Sequence, residues 1–238
     1  MLNMYVSAAI LGIAGAAAAS AVPHGGPVYP ETEVSKAFRL VVNVTDGFTD
    51  FHSIHNTYII NLHDGDNNKR DLVGQDKHKH KGLIFYLNGA ETDRSNNQVL
   101  TESLGDFSSG LSLDFEDGST TIRTARLVHG GGDDYFSLIH YGEHLPFLRP
   151  EPWVACKEKL VHYVTQDKEY IVFKQAVATL DPGSGRYIQH IPQNCARVTL
   201  LPECAKFPKN SAPTNKHVID AHCYRDVKKI DWSKSASD

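Results

Sequence analysis

The sequence lacks several features that would assign it to a common class of enzyme or membrane protein. It contains no G-x-S-x-G pentapeptide, the turn that presents the nucleophilic serine of α/β-hydrolases. It contains no C-x-x-C pair, a spacing typical of structural zinc sites. No apolar run reaches the roughly 20 residues that a membrane-spanning helix needs. No segment repeats at a fixed period, which argues against a propeller or a solenoid.

Charged side chains are absent from the first 21 residues, MLNMYVSAAILGIAGAAAASA, which are apolar for most of their length. This stretch ends in Ala-Ser-Ala, the small-x-small pattern that signal peptidase cleaves. We therefore expect residues 1–21 to be a secretory signal peptide removed before Val22, with a retained anchor as the alternative. Residues 22–35 are rich in proline and glycine and predict an exposed leader. The polar C-terminus, WSKSASD, argues against a lipid-anchor signal.

Cysteine is absent from the first 155 residues, and four cysteines follow: Cys156, Cys195, Cys204 and Cys223. An even number of cysteines in an exported chain indicates two disulfides, for which three pairings are possible. We favour Cys156 with Cys195, because that bond would join two predicted strands. We favour Cys204 with Cys223, because that bond would pin the C-terminal segment. A zinc site is the alternative interpretation.

The segment AFRLVVNVT, residues 37–45, alternates between apolar and polar side chains for much of its length. A period of two predicts a β-strand, with Phe38 and Leu40 on the apolar face and Asn43 on the polar face. Asn43-Val44-Thr45 is also an N-glycosylation sequon. A strand whose polar face meets solvent would expose this asparagine, so Asn43 is our candidate glycosylation site.

Short strand-like runs separated by turn signals such as NGAE, EDGS and DPGSG dominate the middle of the chain. Many strands with few helical stretches indicate an all-β fold, an antiparallel β-sandwich or barrel, over residues 36–205. The predicted strands are Ala37–Thr45, Thr57–His63, Leu83–Asn88, Gln98–Glu102, Leu111–Phe115, Thr120–Val128, Tyr135–His140, Trp153–Cys156, Leu160–Thr165, Tyr170–Gln175 and Ala196–Leu201.

Residues 206–238 are predicted to form a separate C-terminal tail. The stretch PKNSAPTN is typical of a loop, and HVIDAHCYRDVKKI predicts a short helix held by Cys223. Thr214 or Asn215 would serve as the N-cap of that helix.

His129 to Gly132 spell HGGG, the oxyanion-hole motif of one group of lipases and esterases. Such an oxyanion hole stabilises the charge produced when a serine on a G-x-S-x-G turn attacks the substrate. Since that turn is absent and the predicted fold lacks alternating strands and helices, we interpret HGGGDD as a loop whose glycines supply positive φ angles.

His140 to His144 spell H-x-x-E-H, a zinc-ligand motif of one class of protease. Both histidines must lie on one face of a helix to reach a single zinc ion. The preceding YFSLI favours a strand, and Gly142 and Pro146 oppose a helix. His140 and His144 therefore remain candidate metal ligands, and the spacing of the sequence identifies no third ligand to accompany them. In DKHKHK, His78 and His80 are further candidates, with a solvated basic loop as the alternative.

The formal charge of −4 at pH 7 gives no indication of nucleic-acid binding. The sequence has 13 histidines, whose ordinary pKa lies near 6.5. If all of them were protonated while the carboxylates stayed ionised, the charge would become −4 + 13 = +9. This sensitivity makes a metal- or pH-responsive extracellular protein one alternative.

Several segments together resemble a family of secreted fungal proteins that carry a domain of unknown function. They are AFRLVVNVT, IFYLNGA, GLSLDF, PWVACKE and PQNCARVTLLPEC, and they span Lys36 to Cys204. The resemblance implies export from a filamentous fungus and a β-rich domain. It also implies a Trp-x-x-Cys motif, here Trp153 and Cys156, paired with a later cysteine, here Cys195. It carries no catalytic residue to this chain.

We therefore expect a secreted, non-enzymatic β-domain without a cofactor or a membrane anchor. It would act at the fungal cell wall or surface, or as an effector-like protein, with a wall glycan or a host surface as its partner. The alternative is a secreted hydrolase or isomerase, whose acid and base would come from Asp114, Glu116, Asp133 or Asp134. That alternative requires a deep pocket in which carboxylates with shifted pKa values converge.

Overall fold

The structure is a computed structural model, and it describes residues 29–63, 70–75, 81–90, 96–102, 107–138, 145–160, 169–209 and 213–232. The predicted signal peptide therefore lies outside the described residues, as does most of the predicted strand Leu160–Thr165. The strands are β1 (Thr32–Ser35), β2 (Ala37–Val44), β3 (Ile60–Leu62), β4 (Arg70–Gln75), β5 (Phe85–Asn88), β6 (Gln98–Glu102), β7 (Ser108–Phe115), β8 (Ile122–His129), β9 (Ser137–Leu138), β10 (Leu148–Arg149), β11 (Trp153–Lys159), β12 (Glu169–Ala176), β13 (Thr179–Asp181), β14 (Arg186–Ile188), β15 (Cys195–Ala205), β16 (Val218–Ile219) and β17 (Ala221–Tyr224).

Helical structure in the described residues is limited to one turn of α-helix, α1 (Phe48–Phe51), and two 3₁₀ turns, His52–Ile54 and Val227–Lys229. None of these is long and apolar enough to cross a membrane.

Eight antiparallel strands pair in a closed circuit. In order around it they are β2, β15, β11, β12, β8, β7, β6 and β5, and β5 pairs with β2 again through Phe38 and Phe85. The prediction of an all-β antiparallel sandwich or barrel is therefore confirmed. One parallel pairing, between Glu203 on β15 and Tyr224 on β17, makes the complete sheet mixed.

All eight strands of the circuit contribute apolar side chains to one interior cluster. The alternation predicted for β2 is confirmed, because Phe38, Leu40, Val42 and Val44 all belong to this cluster. Trp153 is fully buried in the cluster, and its indole N–H donates to the carbonyl of Leu148 at 2.9 Å. Burial of each large apolar side chain contributes roughly 1.5–3 kcal/mol, so this cluster is the main source of stability.

Strand β4 is inserted between β8 and β12 over part of their length. Strands β8 and β12 pair directly at Thr124 and Lys174, but farther along they separate, and there β4 pairs with β8 on one side and with β12 on the other. Gly74 is needed on β4 because a Cβ there would lie 2.4 Å from the carbonyl oxygen of Ile171 and 2.2 Å from Leu62. The divergence creates the space in which the candidate site lies.

The C-terminal segment differs from the prediction of a short helix. Val218–Ile219 pairs with β5, and Ala221–Tyr224 pairs with β1 and β15. The physical reason is a period of two: Ile219, Ala221 and Cys223 all face the interior cluster. Thr32–Ser35, assigned to the exposed leader from the sequence, likewise forms strand β1 on β17.

The predicted N-caps of the absent helix have other partners. Thr214 donates its backbone N–H to Glu102 at 3.0 Å. Asn215 donates its side-chain amide to Ser108 at 3.1 Å. These contacts attach the C-terminal segment to the last residue of β6 and the first residue of β7.

Both favoured disulfides are present. Cys156 is bonded to Cys195 between the paired strands β11 and β15, and Cys204 is bonded to Cys223 between β15 and β17. The described residues contain no free cysteine. The zinc interpretation of the four cysteines is therefore wrong, and the predicted pinning of the C-terminal segment is confirmed.

Candidate functional site

A surface cleft of about 390 Å³ lies beside the ends of β7 and β8, where β4 separates β8 from β12. Its lining is mostly polar and charged and includes two leucines. The lining residues are Leu72, Asp114, Phe115, Glu116, Asp117, Thr124, Arg126, Glu158, Lys159 and Leu160. Two of the four acidic residues proposed from the sequence, Asp114 and Glu116, therefore meet in one cleft.

Lys174 forms ion pairs with two carboxylates of the cleft region, Glu116 and Glu158. Its side chain is only 8% exposed, whereas both glutamates are roughly one-third exposed. The hydroxyl of Thr124 donates a further hydrogen bond to Glu116 at 2.7 Å. The cluster thus has one buried cation held between two partly exposed anions.

The pKa of Glu116 is set by opposing influences. Burial raises it, but the hydrogen bonds from Lys174 and Thr124, together with the charges of Lys174 and Arg126, lower the pKa of Glu116 below its ordinary value. A general acid near neutral pH needs the opposite shift. Glu116 is therefore ionised at neutral pH and suited to accept hydrogen bonds.

Asp114 and Arg126 lie on the outward faces of β7 and β8, with 3.8 Å between the Arg126 Nε and an Asp114 carboxylate oxygen. Asp117 lies in the exposed turn that follows β7. The cleft therefore presents the carboxylates of Asp114, Glu116 and Asp117 and the guanidinium group of Arg126.

Asp133, the third proposed acid, has a structural role. Its carboxylate accepts hydrogen bonds from the backbone N–H of Leu113 at 2.8 Å, the hydroxyl of Ser112 at 3.1 Å and the hydroxyl of Tyr135 at 2.6 Å. These bonds attach the loop after β8 to β7. Asp134, the fourth proposed acid, is exposed next to it.

The HGGG motif forms the start of that loop. Gly130 has a φ of +82°, as the loop interpretation expects. Gly132 packs against β7 so closely that a Cβ on it would lie 2.4 Å from the carbonyl oxygen of Leu111. The backbone N–H of Gly110 also donates to the carbonyl of Gly131 at 3.1 Å. The motif therefore allows close backbone packing.

Two exposed aromatic rings are relevant to the site: Phe115 lines the cleft, and Tyr135 lies outside its lining and bonds to Asp133. Phe115 at the end of β7 is 50% exposed, and Tyr135 is 37% exposed. The guanidinium carbon of Arg123 lies 4.3 Å from the centroid of the Phe115 ring. Burial and Asp133 raise the pKa of Tyr135, whereas the nearby charge of Arg123 opposes that rise. We call Phe115, Arg123 and Tyr135 the aromatic rim.

A row of directly paired residues continues from the aromatic rim across four neighbouring strands. Phe115 pairs with Arg123, Arg123 pairs with Gln175, and Gln175 pairs with Trp153. Directly paired residues share a face of the sheet, so these four form a row across four strands. Sequence reasoning missed this row because the residues come from distant segments. One signal in the sequence could have indicated it: Phe115 continues the series of inward-facing residues of β7, Leu111 and Leu113, but it comes directly before a turn.

The remaining predicted site residues divide into two groups. Asn43 lies partly exposed on the outward face of β2, paired with Thr199. His78, His80, His140 and His144 lie outside the described residues. Across the residues that are described, no group of three or more metal-ligating side chains occurs.

Comparison with known proteins gives a family and a relative. Residues 35–204 match the family described as Domain of unknown function (DUF7907). The chain is 37% identical over 216 residues to "Antigenic protein SchS34" of Stachybotrys chartarum, which covers 87% of this chain and 94% of the relative. No solved structure matches the chain. The matched range agrees with Lys36 to Cys204, so the resemblance to an uncharacterised fungal family is confirmed.

Proposed function

The chain belongs to the family described as Domain of unknown function (DUF7907), and we propose a function for it from the geometry of the candidate site. We propose that it is an extracellular, non-catalytic protein that binds polysaccharide at the aromatic rim and the adjoining cleft.

The observation that carries this proposal is the fixed exposure of two aromatic rings, one of which, Phe115, lines the polar cleft. Arg123 holds Phe115 from one side, and Asp133 holds the hydroxyl of Tyr135. The C–H face of a sugar ring is apolar and can pack on an exposed aromatic ring, while sugar hydroxyls bond to carboxylates and guanidinium groups. Rings that are already held in place lose little side-chain entropy on binding.

The charges of the cleft favour binding over hydrolysis. A glycosidase needs one carboxyl group that is protonated at its working pH and a second one placed to act with it. Here Lys174 lies between Glu116 and Glu158, and the pKa of Glu116 is lowered. Asp133 is engaged by three donors in the protein. These carboxylates are therefore suited to hydrogen-bond a ligand and poorly suited to donate a proton to it.

An extracellular location fits several observations. Disulfides persist mainly in oxidising compartments, and the chain has two. The predicted signal peptide supplies a route of export, and the fungal relative is named as an antigenic protein. Expression in a eukaryotic secretory host tests this point: the medium should contain protein that begins at Val22. Intact leader on intracellular protein with four free thiols would contradict it.

Sedimentation with insoluble polysaccharides tests binding. The wild-type protein should sediment with at least one of chitin, β-glucan or cellulose, and the Phe115→Ala/Tyr135→Ala variant should stay in the supernatant. Tyr187→Ala is the matched control, because Tyr187 is 75% exposed on the separate β13–β14 hairpin. Release of reducing ends would replace the proposal with the hydrolase alternative. Absence of binding to every polymer would also refute it.

A further inference from the structure

We infer that the aromatic rim selects uncharged polysaccharide chains over polyanionic and polycationic ones, and that Arg123 hydrogen-bonds to the bound chain. The inference rests on the proposed function and adds to it the class of ligand and the residue that recognises it.

Arg123 is the cationic member of the rim. Its guanidinium group packs on Phe115 and is close enough to Tyr135 to act on the charge of that side chain. No carboxylate within the described part of the chain forms an ion pair with it. A guanidinium group that stacks on an aromatic ring keeps the N–H donors in its own plane, and stacking also fixes the orientation of that plane. Arg123 can therefore direct donors at a sugar that packs on the neighbouring rings.

Arg123 and its strand partner Gln175 each have a buried polar atom without a partner. These are the Arg123 Nε and the Gln175 Oε1, and neither has a hydrogen-bond partner in the described structure. Gln175 is only 5% exposed, and the two residues face each other across β8 and β12. Both atoms lie below the surface, so the donors that Arg123 offers to a ligand on the rim are its remaining guanidinium N–H groups, and a sugar hydroxyl can accept from them.

The surrounding charges disfavour a charged ligand of either sign. Asp133 bonds to Tyr135, Asp134 precedes Tyr135 in the chain and Asp114 precedes Phe115, so the carboxylates of a polyuronate would meet like charges beside the rim. Arg123 packs on Phe115, so the ammonium groups of a deacetylated amino sugar would meet a like charge where the sugar packs. Like-charge contacts at a binding site oppose binding. An uncharged chain avoids both penalties and can still bond to every one of these groups.

A panel of polymers tests the inference with the wild-type protein. Chitin and β-glucan are uncharged, polygalacturonate is anionic, and chitosan is cationic at mildly acidic pH. We expect retention on at least one uncharged polymer that persists in about 1 M salt, where the Debye length is about 3 Å, and no salt-resistant retention on the charged polymers. Retention on chitosan or polygalacturonate alone would overturn the inference and leave the proposed function intact. No retention on any polymer would refute the proposed function itself.

Arg123→Lys tests the role of the guanidinium group, because it keeps the charge and removes the planar fork. We expect about a tenfold loss of affinity for the uncharged polymer, the loss that corresponds to one good hydrogen bond to a charged group. Arg186→Lys is the matched control, because Arg186 is exposed on the separate β13–β14 hairpin, away from the rim and the cleft. Unchanged affinity in Arg123→Lys, or an equal loss in both variants, would overturn the role of Arg123. The polymer panel does not depend on the folding of any variant.

Discussion

Lys174 on β12 and Glu116 at the end of β7 form an ion pair across β8, the strand that lies between theirs. Thr124 on β8 is the strand partner of Lys174 and donates to the same carboxylate. A lysine that is almost completely buried needs such partners, because an unpaired ammonium group in this position would lose its hydration without compensation. The same contacts hold the turn after β7, and with it Phe115, beside the cleft.

Replacement of Lys174 by methionine should destabilise the protein. The variant keeps the volume of the side chain but leaves Glu116 and Glu158 facing each other without the cation between them. Loss of one partner from a buried pair typically costs 3–5 kcal/mol, and the partial exposure of both glutamates reduces the expected loss to about 2 kcal/mol. Urea denaturation at neutral pH measures the free energy of unfolding.

Two further variants isolate the cause of that loss. Lys229→Met removes the cation of an exposed pair with Asp226 and should change the stability by less than about 0.5 kcal/mol. Lys174→Met/Glu116→Gln removes one of the opposed carboxylates and should regain part of the loss. If the double variant is no more stable than Lys174→Met, packing rather than charge explains the effect.

The stability supplied by Glu116 should depend on pH. Its folded-state pKa is lowered from the ordinary value of 4.5, so the unfolded chain takes up this proton at a higher pH than the folded one. The stabilisation is therefore complete above about pH 4.5 and is lost as the pH falls through the lowered folded-state pKa. The difference in unfolding free energy between wild type and Glu116→Gln should be largest at neutral pH and shrink in acid. In the Lys174→Met background this pH dependence should weaken, because only Thr124 and Arg126 then lower the pKa of Glu116; an unchanged dependence would exclude Lys174 as a cause.

Glycines of the HGGG motif should differ sharply in their tolerance of alanine. In Gly132→Ala the new Cβ would lie 2.4 Å from the Leu111 oxygen and 2.6 Å from the carbonyl carbon of Gly110, so backbone must move. We expect a loss of about 3 kcal/mol. Gly131→Ala meets nothing within 4 Å and should cost less than about 1 kcal/mol. Thermal unfolding distinguishes the two, and equal melting temperatures would contradict the packing role of this motif.

The parts of the fold that were predictable from sequence are those with a local signal. The period of two in β2 identified its buried face, and the positions of the cysteines relative to predicted strands indicated both disulfides. Strand β4 gave no such signal, because Gly74 interrupts a short run and its role depends on contact with Ile171. The C-terminal segment also has a period of two, carried by Ile219, Ala221 and Cys223. The charged residues next to these positions made the same segment resemble a short helix.

The candidate site was only partly predictable, for a different reason. Asp114 and Glu116 were proposed from the sequence together with Asp133 and Asp134, as four acidic residues that could supply an acid and a base. The sequence could not separate these from Asp133, whose bonds to Ser112 and Leu113 exist only once the loop after β8 packs on β7. The pairing of Arg123 with Gln175 depends on a register between strands about 50 residues apart, which no local pattern encodes.

The bond between Cys204 and Cys223 should stabilise the C-terminal segment specifically. It closes a loop over a sequence separation of 19 residues, worth about 3 kcal/mol in chain entropy. Glu203 on β15 also holds this segment, because its carboxylate accepts a hydrogen bond from the backbone N–H of Val227 at 3.0 Å. The hydroxyl of Tyr58 donates to the same carboxylate. We therefore expect Cys204→Ala/Cys223→Ala to fold, to lose about 3 kcal/mol, and to exchange amide hydrogens faster in β17 than in β7 and β8.

The second disulfide provides the comparison that makes this expectation specific. Cys156→Ala/Cys195→Ala removes a bond with a separation of 39 residues, worth about 4 kcal/mol, between strands that already pair within the circuit. Its loss should lower global stability without accelerating exchange selectively in β17. Hydrogen exchange followed by mass spectrometry measures both variants. If the two variants show the same exchange pattern, the C-terminal segment is held by Glu203 and the strand pairing alone, and the disulfide adds only global stability.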